Sequence, residues 1–190
     1  MDRRIIKTKK LIKEALFKYA VVKGMENVTV QDIINEADIN RATFYYHYKD
    51  KFELHKEIVD ETLEGLVNDL VIPYQVQSFA DIIYPPVLAV FEHVEKHAKV
   101  YKILLSKNGL PELRWKMLDV LKLSIQNNIG QLKENKIEVT LDKWFLESVI
   151  AGALVALIID WVNEDLPNEP SFMADQMVLM LTKGIYQKSL

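Results

Sequence analysis

The chain has 190 residues, 49% hydrophobic and 27% charged, with a formal net charge of −3 and no cysteine. That length suits one ordinary core or a small module joined to a larger one, and that composition belongs to a folded protein rather than a disordered one. Without cysteine there is no disulfide frame, thiolate metal site or cysteine nucleophile.

The charge is unevenly placed. Residues 1–51 carry 11 Lys/Arg against 7 Asp/Glu, and residues 52–190 carry 13 against 20. A basic head on an acidic body is expected if only the head meets a polyanion. The start, Met1-Asp2-Arg3-Arg4, is charged, and Lys18 and Lys23 interrupt the segment after it, so no signal-peptide core is expected. The uncharged apolar stretch Ser148–Ile159 falls short of the roughly 20 residues that cross a bilayer, so a cytoplasmic protein without membrane contact is expected.

Apolar residues recur at spacings of three and four, which predicts an all-α chain. The first helix is expected over Asp2–Lys23, with Ile12, Ala15, Leu16 and Tyr19 inward and Gly24 ending it. Thr29 and Asp32 have the spacing of a capping box for a short helix over Val30–Glu36. Asn40 then caps Arg41–Tyr46, and Asp50 caps a long helix that ends before Pro73. This fourth helix is long enough to join head to body without a flexible linker. Pro85-Pro86 is expected to break the pattern. Further helices are expected over Val87–His97, Val100–Leu105, Pro111–Asn135, Leu141–Asn163 and Ser171–Lys188. The domains are read as 1–51, continuing into helix four to about residue 60, and 52–190.

Two short helices joined by a tight turn, the second rich in hydroxyl, aromatic and basic side chains, suit a helix-turn-helix that enters the major groove. Arg41 can fork onto guanine, and Gln31 can pair with adenine. Thr29, Thr43, Tyr45, Tyr46, His47 and Lys51 carry tips suited to phosphate oxygens. Phe44 and Tyr48, spaced i,i+4, are expected to pack the head instead, and one of Tyr45 and Tyr46 to be partly core.

The run Thr29-Val-Gln-Asp-Ile-Ile, then Ala37-Asp-Ile-Asn-Arg-Ala-Thr-Phe-Tyr-Tyr-His-Tyr-Lys-Asp-Lys51, resembles the DNA-binding domain of the tetracycline-repressor (TetR) family across about residues 5–60. The resemblance implies a homodimeric, ligand-responsive transcription regulator whose carboxyl-terminal helical domain varies with its inducer. It also implies that Thr43, Tyr45, His47 and Lys51 clamp phosphates of double-stranded DNA, while Gln31, Arg41, Ala42 and Tyr46 approach bases. Three positions depart from the family pattern: Ile34 replaces a small alanine, Asp38 the turn glycine and Tyr48 a phenylalanine. Aspartate tolerates positive φ, so the turn is expected to survive.

In the body, Leu141–Asn163 is apolar on every face, which calls for burial on all sides and, in a small domain, for a partner subunit. Val149, Gly152, Ala153, Ala156 and Ile159, with Met173, Met177 and Leu181 of the last helix, are the expected dimer face. Phe91, Tyr101, Trp115, Met117, Leu121 and Trp144 are candidates for an effector pocket, against the plainer reading that they are core. Asp160 suits either a cationic ligand or an ion pair at an interface. His93 and His97 beside Glu92 lack the third ligand or HExxH pattern of a metal site, and no catalytic constellation is visible, so neither enzyme nor cofactor is expected. The expected function is a repressor that binds a palindrome as a homodimer and responds to an unidentified small molecule. The alternative is a helical protein-interaction module or co-regulator that has lost ligand response or DNA binding.

Overall fold

The computed structural model describes residues 3–70, 79–134 and 140–184. Among these residues the structure is all-helical: α1 (Arg3–Lys23), α2 (Val30–Glu36), α3 (Arg41–His47), α4 (Lys51–Asp69), α5 (Phe79–Lys96), α6 (Ala98–Leu104), α7 (Pro111–Glu134), α8 (Lys143–Asn163) and α9 (Pro170–Lys183). A single 3-10 turn, Met25–Asn27, follows α1. The chain divides into two compact units, one of residues 1–62 with 99–114 and one of residues 63–98 with 115–190.

In the first unit α1 buries Ile12, Ala15, Leu16 and Ala20 against α2 and the 3-10 turn. Gly24 stops α1 at φ 81°, ψ 154°, a conformation that only glycine adopts without strain. The capping box at the start of α2 is complete. The Asp32 N–H donates to the Thr29 hydroxyl, and the Thr29 N–H donates to the Asp32 carboxylate at 2.8 Å. Asp38 does adopt positive φ, at 50°. The Ile39 N–H reaches back to the Ile34 carbonyl at 3.1 Å, so this six-to-one bond closes α2 without glycine. Ile34 is buried, and Phe44 and Tyr48 are also inside, as their spacing requires.

The same unit takes in α6 and the turn after it. The Met25 N–H donates to the Asn108 carbonyl at 2.9 Å, and the Arg114 guanidinium donates to the Leu105 carbonyl at 2.7 Å.

In the second unit the helix containing Pro85 and Pro86 begins at Phe79 and runs through both, rather than starting after them at Val87. Each proline lacks an N–H, so α5 forgoes two of its hydrogen bonds. Burial of Pro86, Val87, Val90, Phe91 and Val94, on a helix that packs along α9, offsets that loss. Asp142 caps α8 by accepting from the Trp144 N–H. The expected extension of α9 to Lys188 lies outside the described residues beyond Gly184.

Helix α8 is, by length and composition, long and apolar enough to cross a membrane, unlike its short uncharged stretch taken alone. In this fold, however, Leu146, Glu147, Ile150, Ala151, Leu154, Ile158, Trp161 and Val162 lie inside the protein. Trp161 stacks edge-on against Phe91 at 5.4 Å, and Glu147 accepts from Gln126 of α7 at 2.8 Å. α8 is not buried on all sides within one chain. Phe145, Val149, Ala156 and Leu157 are exposed, and Gly152, Ala153 and Ile159 are half-buried.

Several expected placements need correction. Met177 is 2% exposed and packs inside with Ala174 and Val178, so it is unavailable to a partner chain. Met173 and Leu181 are half-buried, and the exposed apolar residues of α9 are Phe172, Leu179 and Met180. Trp115 and Trp144 are 69% and 67% exposed, so neither is core. Phe91, Met117 and Leu121 are buried in the second unit, whereas Tyr101 is buried in the first.

Candidate nucleic-acid interface

The turn at Asp38 and the Asn40 cap fix where α3 begins, because the Asn40 side chain accepts the Thr43 N–H at 2.7 Å. With Phe44 and Tyr48 inward, the helix repeat leaves Arg41, Ala42, Tyr45 and Tyr46 exposed. Tyr46 is 76% exposed and Tyr45 48%, so neither is core. Gln31 is exposed on α2, and its carbonyl accepts from Arg41 at 3.1 Å. Its amide N–H donates to the Asn35 side-chain oxygen at 2.8 Å.

Not every expected phosphate donor has its donor available. The Thr29 hydroxyl donates to Asp32, and the Thr43 hydroxyl donates to Asn40 at 2.9 Å. A hydroxyl has one proton, so each must turn away from its cap before it can donate to phosphate. The Lys51 ammonium donates to the Glu26 and Val28 carbonyls, tying the 3-10 turn to the start of α4. One of its three protons remains. His47 is half-buried, and burial, with the neighbouring Lys9 charge, lowers its pKa, so near neutral pH it offers an N–H rather than a full charge. Lys49, just past α3, is exposed; residue type alone does not single it out, although it stands inside the same motif.

Beneath these residues an ion cluster joins α1 to α4. Glu57 receives Lys9 at 2.5 Å and Lys13 at 2.8 Å, and the Tyr48 hydroxyl donates to it at 2.8 Å. The hydroxyl at this departure from the family pattern therefore has a partner. Burial pushes the Glu57 carboxyl up, but hydrogen bonds from Lys13, Lys9 and Tyr48 outweigh it and hold the pKa at about 2. Burial and the Glu57 carboxylate raise the Tyr48 pKa, keeping its hydroxyl neutral. A carboxyl lowered on folding contributes stability that is complete above its unfolded pKa of about 4.3 and is lost as pH falls towards 2. The difference in melting temperature between the wild type and Glu57→Gln should therefore hold steady above about pH 5 and shrink below it. A difference independent of pH would show that Glu57 acts by packing alone.

Residues 12–58 match the family described as bacterial regulatory proteins, tetR family, and residues 81–183 match the transcriptional regulator C-terminal region. The chain belongs to the tetR family. Members of this family are transcription regulators that bind DNA, not enzymes. Among curated proteins this TetR-family chain is 21% identical to the HTH-type transcriptional regulator YxbF of Bacillus subtilis, over 98% of the chain but 48% of YxbF. It thus spans about half the length of that relative. It is 25% identical to the HTH-type transcriptional regulator YhgD of the same organism, over 95% of the chain and 97% of YhgD. Among solved structures, FadR from Bacillus subtilis in complex with stearoyl-CoA superposes with a TM-score of 0.64 at 19% identity, covering 93% of this chain and 99% of that one.

Proposed function

We propose that this TetR-family regulator is a cytoplasmic homodimeric repressor that binds a palindromic operator and is released by a small molecule held in the second unit. The observation that carries the reading is the exposed surface of α3, where Arg41, Ala42, Tyr45 and Tyr46 face solvent over a buried Phe44. Arg41, Gln31, Ala42 and Tyr46 are assigned to the base edges. Tyr45, His47, Lys49 and Lys51 are assigned to the phosphates, with Thr29 and Thr43 joining when their hydroxyls turn. The exposed apolar stripe of α8, with Phe172, Leu179 and Met180 of α9, is assigned to a second copy of the chain. Two joined heads would address half-sites about 34–36 Å apart.

Phe91, Met117 and Leu121 are the apolar groups assigned to the effector, and an acyl-CoA is the first class to try, because FadR holds stearoyl-CoA on the same fold. An effector of this kind acts only if it favours one head spacing over the other. The test is selection of bound fragments from a random duplex pool. A palindrome with half-sites one helical turn apart supports the reading; no enriched sequence at low salt overturns it.

The assignment of Lys51 has its own check. Lys51→Ala should flatten the dependence of log affinity on log salt by about one unit and weaken unrelated duplexes alike. It should also lower stability by about 1–2 kcal/mol, because the Glu26 and Val28 carbonyls lose a charged donor. Lost stability with an unchanged salt slope would leave Lys51 a purely structural role.

A further inference from the structure

The two side chains assigned to separate bases are bonded to each other. Arg41 opens α3 and donates through Nη2 to Gln31 Oε1 at 3.1 Å, bridging from one helix of the motif to the other. Gln31 Nε2 in turn donates to Asn35 Oδ1 at 2.8 Å, one turn further along α2. All three residues are exposed.

Reading an adenine takes both ends of a glutamine amide at once, the oxygen accepting from N6 and the nitrogen donating to N7. In Gln31 the oxygen is turned to Arg41 and the nitrogen to Asn35. Arg41 can only donate, so it fixes which way round the Gln31 amide lies, and Asn35 accepts from the nitrogen left facing it. Arg41 retains four of its five N–H donors, enough for a two-pronged contact with O6 and N7 of guanine. A guanidinium held at one corner loses less rotational freedom when it docks than one swinging freely.

We propose that Arg41, Gln31 and Asn35 act as one reading unit for a single guanine-containing base pair. Arg41 makes the contact, and Gln31 and Asn35 are positioning residues. The inference rests on the DNA-binding reading above and replaces its assignment of a base edge to Gln31: the trio specifies one position of each half-site, not two.

The experiment measures binding of the full-length chain to its selected operator and to every single-base-pair variant of it, for the wild type and four variants. Arg41→Ala should lower affinity about 10- to 100-fold and abolish discrimination at one symmetric position. Gln31→Ala should weaken discrimination at that same position by a smaller factor, about 3- to 10-fold, and leave the others as they were. The double variant should match Arg41→Ala alone, because coupled residues are not additive. Gln31→Glu keeps an acceptor for Arg41, so it should keep the guanine preference while binding all duplexes more weakly through its charge.

Loss of discrimination at a second position in Gln31→Ala would overturn the inference and give Gln31 a base of its own. So would a double variant whose losses simply add. Either result leaves the regulator reading standing, whereas a wild-type chain that selects no duplex removes both.

Discussion

Gly24→Ala is expected to destabilise the amino-terminal unit by about 2–6 kcal/mol, a large share of the roughly 5–15 kcal/mol that holds an ordinary domain together. Two separate costs add. Gly24 sits at φ 81°, ψ 154°, where a side chain strains the backbone by about 1–3 kcal/mol. A Cβ there would also stand 2.8 Å from the Asn108 Cβ and 3.3 Å from its carbonyl oxygen. That second contact involves atoms fixed to the backbone, so relief requires the turn after α6 to move, at about 1–3 kcal/mol more. Movement would stretch the bond from the Met25 N–H to the Asn108 carbonyl. Urea denaturation of the full chain checks the total. Pairing the change with Asn108→Gly separates the two costs, since the contact with the Asn108 side chain goes and the backbone strain stays. Partial rescue is therefore expected. A Gly24→Ala chain within about 0.5 kcal/mol of the wild type would deny the positive φ itself.

Gly24 also shows what was legible in the sequence. A glycine after an apolar helical stripe marks a helix end, and α1 ends there. The partner across from it, Asn108, lies 84 residues away, and no local pattern announces that pairing. The head as a whole was readable because its determinants are short-range. The Thr29–Asp32 box spans four residues, the Asp38 turn closes over six and the Asn40 cap over four. Exposure within α3 follows from which residues the buried Phe44 and Tyr48 leave outside. What the residues could not disclose was competition for donors. Thr29 and Thr43 look like phosphate ligands by type, and only in the folded chain are their hydroxyls turned into the caps. Lys51 was likewise visible as a cation but not as a tie to two backbone carbonyls.

The body was less legible for the opposite reason. Helix α8 is apolar on both its inner and its outer face, so composition cannot tell core from surface. Placement on α9 fails similarly: methionine and leucine occur on both sides, and Met177 turns inward while Met180 turns out. Trp115 and Trp144 read as pocket lining or core because large aromatics are mostly buried, yet both are mostly exposed. Pro85 and Pro86 read as a break because proline usually is one, yet packing carries α5 through them. In each case tertiary contact overrides a local preference.

The outer face of α8 leads to the second large effect, Gly152→Leu. Within one chain a Cβ at Gly152 meets nothing within 4 Å, and glycine inside a helix costs about 0.5–1 kcal/mol relative to alanine. A lone protomer should therefore tolerate the leucine or gain slightly from it. The outcome reverses if a partner helix lies across this stripe, because Gly152, Ala153 and Ala156 then set how closely two backbones approach. Forcing a leucine into such a contact costs about 1–3 kcal/mol for each copy, and the twofold axis brings two copies together. The dimer dissociation constant should rise by a factor of about 30 or more. Sedimentation across a concentration series measures that rise, and thermal melting of the dilute protein checks that the fold is unharmed. Operator affinity should fall with dimerisation, since a single head holds only one half-site. A Gly152→Leu chain that sediments and binds DNA as the wild type does would place the partner elsewhere, and the exposed Phe172, Leu179 and Met180 of α9 would be the next face to test.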